Sequence, residues 1–344
     1  MDGVAVKAAA AACIAALACA TAQAAASGSY RVLATGEFSG TVSVIDPVTL
    51  AVTAVLDVGK RPRGIQVSAD GRWAYVAMSG SPVAGPGVDE KTLPPPDKSA
   101  DGIGVINLAT LRLERVLRGV SDPEQVAVSR DGKRLAVASE DAGTVVLQDA
   151  ATGRMLASVP VGSEPEGLVM SASGREAWVA LEGDDGIAHV DLRRQKVLAR
   201  VKVGTRARNV LFADGERTLI VANEFAGTLS RLDAATGTVQ LTSTPDGGAR
   251  PMGLLLSNNG KELYVSTGRD GRLLALDTKT LKTLRSAAVG GRPWGIALSP
   301  DGTMLYAATG PANEVVVVHT ASFEVAGRVA VHERPWGIAI APAR

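Results

Sequence analysis

The chain has 344 residues, yet only 3% are aromatic, two are cysteine, three are histidine, and neither sign of charge is in surplus. Each shortage excludes something. With 36 Lys+Arg against 35 Asp+Glu, no electrostatic footprint exists for nucleic acid or for an acidic membrane surface. Both cysteines, Cys13 and Cys19, fall in the first 26 residues. Beyond that segment there is no disulfide, no thiolate nucleophile, no Cys-ligated metal and no Cys-x-x-Cys-His haem attachment. Neither a phosphate-cradling Gly-rich loop nor a Gly-x-Ser-x-Gly elbow stands in a usable context. His189 lies inside a strand pattern and His319 replaces a turn Asp, so both read as structural. Catalysis therefore has few candidate groups.

Residues 1–26 have the form of a secretory signal. Lys7 precedes the apolar run Ala8–Ala18, which is followed by small-residue cleavage options such as Ala20-Thr21-Ala22. The run is too short to span a bilayer. The residue three before Cys19 is Ala16 and not the Leu of a lipoprotein signal, so release to the periplasm or outside is expected in preference to lipidation.

What the chain has is glycine, 38 residues of it, and a repeat. Arg-Pro-x-Gly occurs at Arg61–Gly64, Arg250–Gly253, Arg292–Gly295 and Arg334–Gly337, with degenerate copies at Asp122–Gln125, Glu164–Gly167 and Arg206–Asn209. The third positions are spaced by 61, 42, 42, 44, 42 and 42 residues. Each copy opens a short apolar strand that ends in a tight turn such as Asp70-Gly71, Asp131-Gly132 or Asp301-Gly302, where Gly supplies the positive φ. A second strand follows (Ala177–Ala180, Leu263–Ser266), then a third ending at Asp46, Asn107, Asp149, Asp191, Asp233, Asp277 or His319. Five of these seven have Thr three residues on, as a side-chain-stabilised turn requires. An alternating fourth strand leads into the next copy. Four antiparallel strands per ~42 residues describe a propeller blade. The last first-strand motif ends the chain, and its missing partners stand at the beginning, at 32–35, 41–46 and 52–58. The prediction is all-β: a single seven-bladed β-propeller over 27–344, closed by a blade shared between the termini.

Leu263-Tyr-Val-Ser and Ala74-Tyr-Val-Ala stand where the YVTN-family β-propeller repeat carries Tyr-Val-Thr-Asn, and the chain resembles that family over its mature length. It is most similar to the exported propellers encoded with PQQ-dependent (quinoprotein) alcohol catabolism. The resemblance rests on Arg61-Pro-Arg-Gly, Asp122-Pro-Glu, Glu164-Pro-Glu-Gly, Arg206-Ala-Arg and the terminal Arg-Pro-Trp-Gly. It implies the fold strongly and no agreed activity.

The Arg-Pro-x-Gly corners and the loops after the second strands should meet at one mouth of the central channel. There Arg63, Arg208, Arg250, Arg292 and Arg334, with Trp294 and Trp336, are expected to form an anion-binding, ring-stacking sector for a small polycarboxylate or quinone-type ligand. The first expectation for most of these residues is that the arginines pair with acids of adjacent blades; the anion-binding sector is the sharper alternative. Glu124, Glu140, Glu166 and Glu182 form an acidic sector that could take a divalent cation, which would suit a metal-dependent, lactonase-like hydrolase. Glu37, Asn223 and Glu224 are further candidates for such a set. A scaffold for a periplasmic partner protein is a third reading. The 19-residue excess in the first spacing lies at about 80–100, contains Pro94-Pro95-Pro96, and should rise on the mouth face as a loop, a lid or a docking arm.

Overall fold

The glycine of Arg-Pro-x-Gly marks where neighbouring innermost strands crowd together. A Cβ at Gly167, Gly253 or Gly295 would stand 2.5–2.6 Å from the carbonyl oxygen of Arg208, Trp294 or Trp336 in the next blade. Only a residue without a side chain lets the strands approach this closely around the axis. In the two blades that break the motif, Gln125 and Asn209 occupy the same place, and their amides fill space against the neighbouring strand.

The computed structural model describes residues 30–83, 92–245 and 247–343. The expected signal at 1–26, with both cysteines, and the middle of the insertion, 84–91, lie outside the described residues. Twenty-eight described strands form seven four-stranded antiparallel sheets, as the repeat predicts. Blade 1 takes its innermost strand, Pro335–Pro342, from the C-terminus and its other three, Tyr30–Gly36, Thr41–Asp46 and Ala51–Asp57, from the N-terminus. Blades 2 to 7 then follow in chain order at 62–117, 123–160, 165–202, 207–243, 254–288 and 293–330. The closing register runs from Tyr30↔Pro342 to Gly36↔Pro335, so the ring has no open sheet edge at its seam. Tyr30 Oη and Tyr306 Oη, 2.8 Å apart, add a side-chain tie from this seam to blade 7.

The core is divided into seven apolar clusters, each between two neighbouring blades. Middle strands are covered on both faces, which is why they read as continuous apolar runs such as Ala74–Met78 and Thr218–Asn223. Outermost strands alternate, as in Lys196–Lys202, because one face meets water.

The turn chemistry follows the sequence closely. Gly71, Gly132, Gly174, Gly215, Gly260 and Gly302 all have φ between 63° and 75°. The acid or amide ending six of the seven third strands accepts backbone N–H bonds from two and three residues on, as Asp149 does from Ala151 (3.1 Å) and Thr152 (2.8 Å). These bonds hold the Asp46, Asp149, Asp233 and Asp277 carboxyls below their usual range. Gly268–Asp270 and Gly310–Ala312 form single 3₁₀ turns, and among the described residues no helix is long and apolar enough to cross a membrane.

Replacing Gly295 with Ala should lower stability by about 1–3 kcal/mol, because the added methyl must push the Trp336 carbonyl aside. Gly132→Ala, in a turn with open space around it, carries only the local strain of its φ of 69°. Urea melts of the two variants should rank them in that order.

Candidate functional site

In an up-and-down blade the first residues of strand one and the loop between strands two and three share one end. The backbone shows this repeatedly: the loop residues Glu37, Glu140, Glu182 and Glu224 donate their N–H to the carbonyls of Arg334, Asp122, Glu164 and Arg206, at 2.8–3.1 Å. The pre-proline position carries a positive φ in five blades, at Arg61, Asp122, Glu164, Arg206 and Arg334. Side chains there and two residues later converge on the mouth of the channel.

Arg63 and Arg208 depart from the expected free anion-binding role. Arg63, 2% exposed, bonds to Asp122 and Glu124 of blade 3 and stands 3.7 Å from Glu140. Arg208 pairs with Glu166 (2.5 Å) and Glu182 of blade 4, and lies 3.8 Å from the fully buried Glu224. Each arginine borders the acidic blades, so the nearest carboxylates claim it before any ligand can. The expected acidic quartet is thereby split, with Glu124 and Glu140 around Arg63 and Glu166 and Glu182 around Arg208. Asp122, Glu124 and Glu140 offer oxygens within 4.8 Å of one another, but the Arg63 guanidinium already bonds two of them, which leaves a poor fit for a divalent cation. Glu37, Asn223 and Glu224 are also spoken for. Glu37 holds Arg61 (3.1 Å) and Arg334 (3.4 Å), Asn223 donates to Thr228 and Ser230, and Glu224 holds Arg206 (3.0 Å) and Arg292 (3.4 Å).

Carboxylates outnumber guanidiniums on this side, and the protonation states show it. Burial, with the charges of Asp122 and Glu182, pushes the Glu140 carboxyl up to about 7. Glu166 is raised well above its ordinary value by burial, with Glu182 and Glu140 adding to the shift. Burial also opposes ionisation of Glu182 and Asp122, but Arg208 and Arg206 for the first and Arg63 and Arg61 for the second, together with hydrogen bonds, hold both low.

The remaining cations gather on blades 5 to 7 and the seam. Burial, then the nearby charges of Arg269, Arg208 and Arg334, lowers the Arg292 pKa, with Glu224 opposing the shift. Arg250 and Arg269 have no carboxylate within ion-pair distance among the described residues. The Trp294 ring is not a bare platform: it is 7% exposed, its two neighbours Arg292 and Arg334 each stand 5.4 Å from its centre, and Trp336 meets it edge-on at 5.9 Å. Trp294 Nε1 is buried without a partner. The exposed aromatics at the mouth are instead Phe225, with Arg206 (4.6 Å), Arg250 (5.3 Å) and Arg269 (5.9 Å) over its ring, and Phe38, with Arg334 at 4.5 Å. Sequence reasoning passed over Phe38, Phe225 and Arg269. A signal existed for the first two: both follow the loop glutamate, in Glu37-Phe38 and Glu224-Phe225. Inside, the channel narrows to a cavity of about 40 Å³ between Gln125, Arg208, Asn209, Met252, Trp294 and Trp336, space for very few water molecules.

A family model described as YNCE-like beta-propeller matches residues 3–342. The chain belongs to that family. No curated protein matches its sequence. Among solved structures, the YNCE-like propeller is similar to a functionally unknown protein from Desulfotomaculum acetoxidans (TM-score 0.73, 16% identity, 91% of this chain and 99% of that one). A putative 6-phosphogluconolactonase from Bacteroides fragilis is similar to the same degree (0.73, 17%, 91% and 98%). Kuenenia stuttgartiensis hydrazine synthase also matches (0.66, 18%, 80% and 88%). At such identities the likeness concerns the fold.

The described ends of the insertion are tied to this mouth on blades 2 and 3. Arg61 donates to the Ser81 carbonyl (2.6 Å), Asp97 accepts from Lys60 (2.7 Å), and Lys98 pairs with Asp141. Asp101 accepts the N–H of Gly80 (2.7 Å) and of Asp122 (3.0 Å), which locks the loop's base across the two blades.

Two substitutions test the electrostatics. Arg208→Met leaves buried carboxylates facing one another and should cost about 3–5 kcal/mol at pH 8, less at pH 5, where they can protonate. For Glu140, the folded state favours the protonated form. Its contribution to stability is therefore full below the unfolded value of 4.5 and is lost as pH rises towards about 7. Glu140→Gln should remove that decline and raise stability at pH 8 by roughly 1–3 kcal/mol, read from urea midpoints across the pH range.

Proposed function

We propose that the protein is an exported, non-enzymatic binding propeller that holds a small polycarboxylate at the channel mouth, against the cationic sector of blades 5 to 7. The observation that carries this reading is the crowding of Arg250, Arg269, Arg292 and Arg334 with only Glu224 and Glu37 to offset them, both already shared with other arginines. Guanidiniums placed together grip carboxylates in pairs, and an anion relieves their mutual repulsion. Phe225 and Phe38, exposed at the rim beside the guanidiniums that stand over them, add apolar surface there, so a flat carboxylated ring such as a carboxylated quinone suits the site better than a compact anion. The narrow channel below keeps the ligand at the surface of the mouth. A role beside quinoprotein oxidation in the periplasm agrees with this ligand class and with the signal-like segment at 1–26.

The hydrolase reading has less behind it. The structural likeness to the Bacteroides fragilis protein concerns the fold, and the acids that would hold a metal are bonded to Arg63 and Arg208.

Titration with citrate and with a carboxylated quinone should change the intrinsic tryptophan fluorescence and raise the melting temperature, because Trp294 lies beneath Arg292 and Arg334. Arg292→Met and Arg250→Met should each weaken binding by roughly 10-fold. Unchanged fluorescence and melting with both ligands would overturn the reading.

A further inference from the structure

The end of the ring opposite the mouth carries a second concentration of charge. There the turns between strands one and two, and between strands three and four, come together. On blades 7 and 1 these turns read Pro300-Asp301-Gly302-Thr303 and Asp46-Pro47-Val48-Thr49, without a basic residue. On blades 3 and 4 they read Arg130-Asp131-Gly132-Lys133-Arg134, Ala172-Ser173-Gly174-Arg175 and Asp191-Leu192-Arg193-Arg194. Basic residues recur at some of these places on other blades, as Arg72, Arg217, Lys261 and Lys279, but Thr303 and Val48 fill them on blades 7 and 1, so the turn itself does not require a cation.

Between blades 3 and 4 lies an open cleft of about 600 Å³, lined by Arg130, Arg134, Arg175 and Arg193 and by a single acid, Asp131. All four arginines are exposed, and none has a carboxylate within ion-pair distance among the described residues. The nearby acids are occupied. Asp131 accepts from Ser129 Oγ (2.7 Å) and the Lys133 N–H (3.0 Å), and Glu216 accepts the Ala172 N–H (2.6 Å). Asp191 takes the Arg194 N–H (2.7 Å), and Glu176 is turned towards His189 Nε2 (3.1 Å). Arg130 and Asp131 also line a second cleft of about 390 Å³ between blades 2 and 3, where Lys133 and Arg115 extend the basic wall beside Trp73 and the acid there, Asp70, is paired with Arg72 (2.8 Å). The result is a cationic groove running across three blades, remote from the mouth.

We propose that this groove docks an acidic segment of a partner protein, an extended stretch rich in Asp and Glu. Charge complementarity argues for it: unpaired guanidiniums present paired donors at the surface with no internal carboxylate to release first. Length argues for an extended segment over a single small anion, since the basic residues come from the turns of successive blades. A nucleic acid is the poorer fit. Net charge is +1, so no long-range field gathers a polyanion; of the two aromatics lining the groove, Tyr75 is buried and Trp73 lies beneath Arg115 (5.3 Å), so neither is free to stack on bases. The inference stands apart from the mouth ligand and shares no residue with it.

The test uses the mature full-length protein and a fluorescein-labelled alternating Asp/Glu peptide followed by anisotropy. Two variants split the groove by blade, Arg130→Glu/Arg134→Glu and Arg175→Glu/Arg193→Glu; all four positions are solvent-exposed, and unchanged melting temperatures check the fold. Each variant should weaken the peptide by roughly 10-fold or more, and raising NaCl from about 0.05 to 0.5 M should weaken the native complex similarly. Arg292→Met, at the mouth, should leave the peptide affinity unchanged. Peptide affinity in both groove variants within about twofold of the native protein would overturn the proposal. So would a mixed-sequence single-stranded oligonucleotide that binds more tightly than the peptide and is lost in the same variants, which would assign the groove to nucleic acid.

Discussion

Everything at the mouth follows from how closely the innermost strands pack around the axis. Gly167, Gly253 and Gly295 each lie against the next blade's carbonyl, leaving no space for even a methyl group. Seven strand ends are thereby drawn into one small circle, together with the side chain that each carries beside its glycine. In a circle this tight the charges at those positions cannot act singly. Each must find an opposite charge on a neighbouring blade, give up its charge, or remain repelled by its neighbours.

All three outcomes are present. Arg63 and Arg208 found partners, and their ion pairs run from blade to blade, so that they join the ring by polar bonds as the seven apolar clusters join it by packing. Glu140 and Glu166, in a surplus of carboxylates, are pushed towards the neutral form. Arg292 remains among like charges. The last condition leaves guanidinium charge uncompensated within the fold, and on that ground the cationic sector, and not the paired acidic one, is the surface proposed for a ligand.

The fold was legible because a repeat states each structural requirement seven times. Positive φ after the first strand, side-chain acceptors after the third and tight strand approach at Arg-Pro-x-Gly each left a residue at a fixed interval. The charge polarity of the mouth was legible too, in Asp122-Pro-Glu and Glu164-Pro-Glu against the Arg-Pro copies. Pairing was not. Whether Arg63 is free depends on the reach of Glu124 and Asp122 across a blade boundary, which is a matter of distance and not of order along the chain. The covering of Trp294 by Arg292 and Arg334 was hidden for the same reason. Phe225 and Arg269 come from different blades and meet only in space.

A repeated scaffold also separates duty from freedom. Where every blade carries the same residue, the fold explains it; where one or two blades differ, the neighbours show that the fold would have accepted something else. The places of Arg130, Arg134, Arg175 and Arg193 are filled on other blades by residues as different as Pro300, Met304, Thr303 and Val48. The Asp and Gly there are the scaffold, and the arginines are additions to it. The same reasoning separates the phenylalanines after Glu37 and Glu224 from Asp141 and Gly183, which follow Glu140 and Glu182. Departures from the repeat cluster at two places, one on each end of the ring. Because the two share no residue, the ligand proposed at the mouth and the partner proposed on the opposite end would not compete for the same side chains.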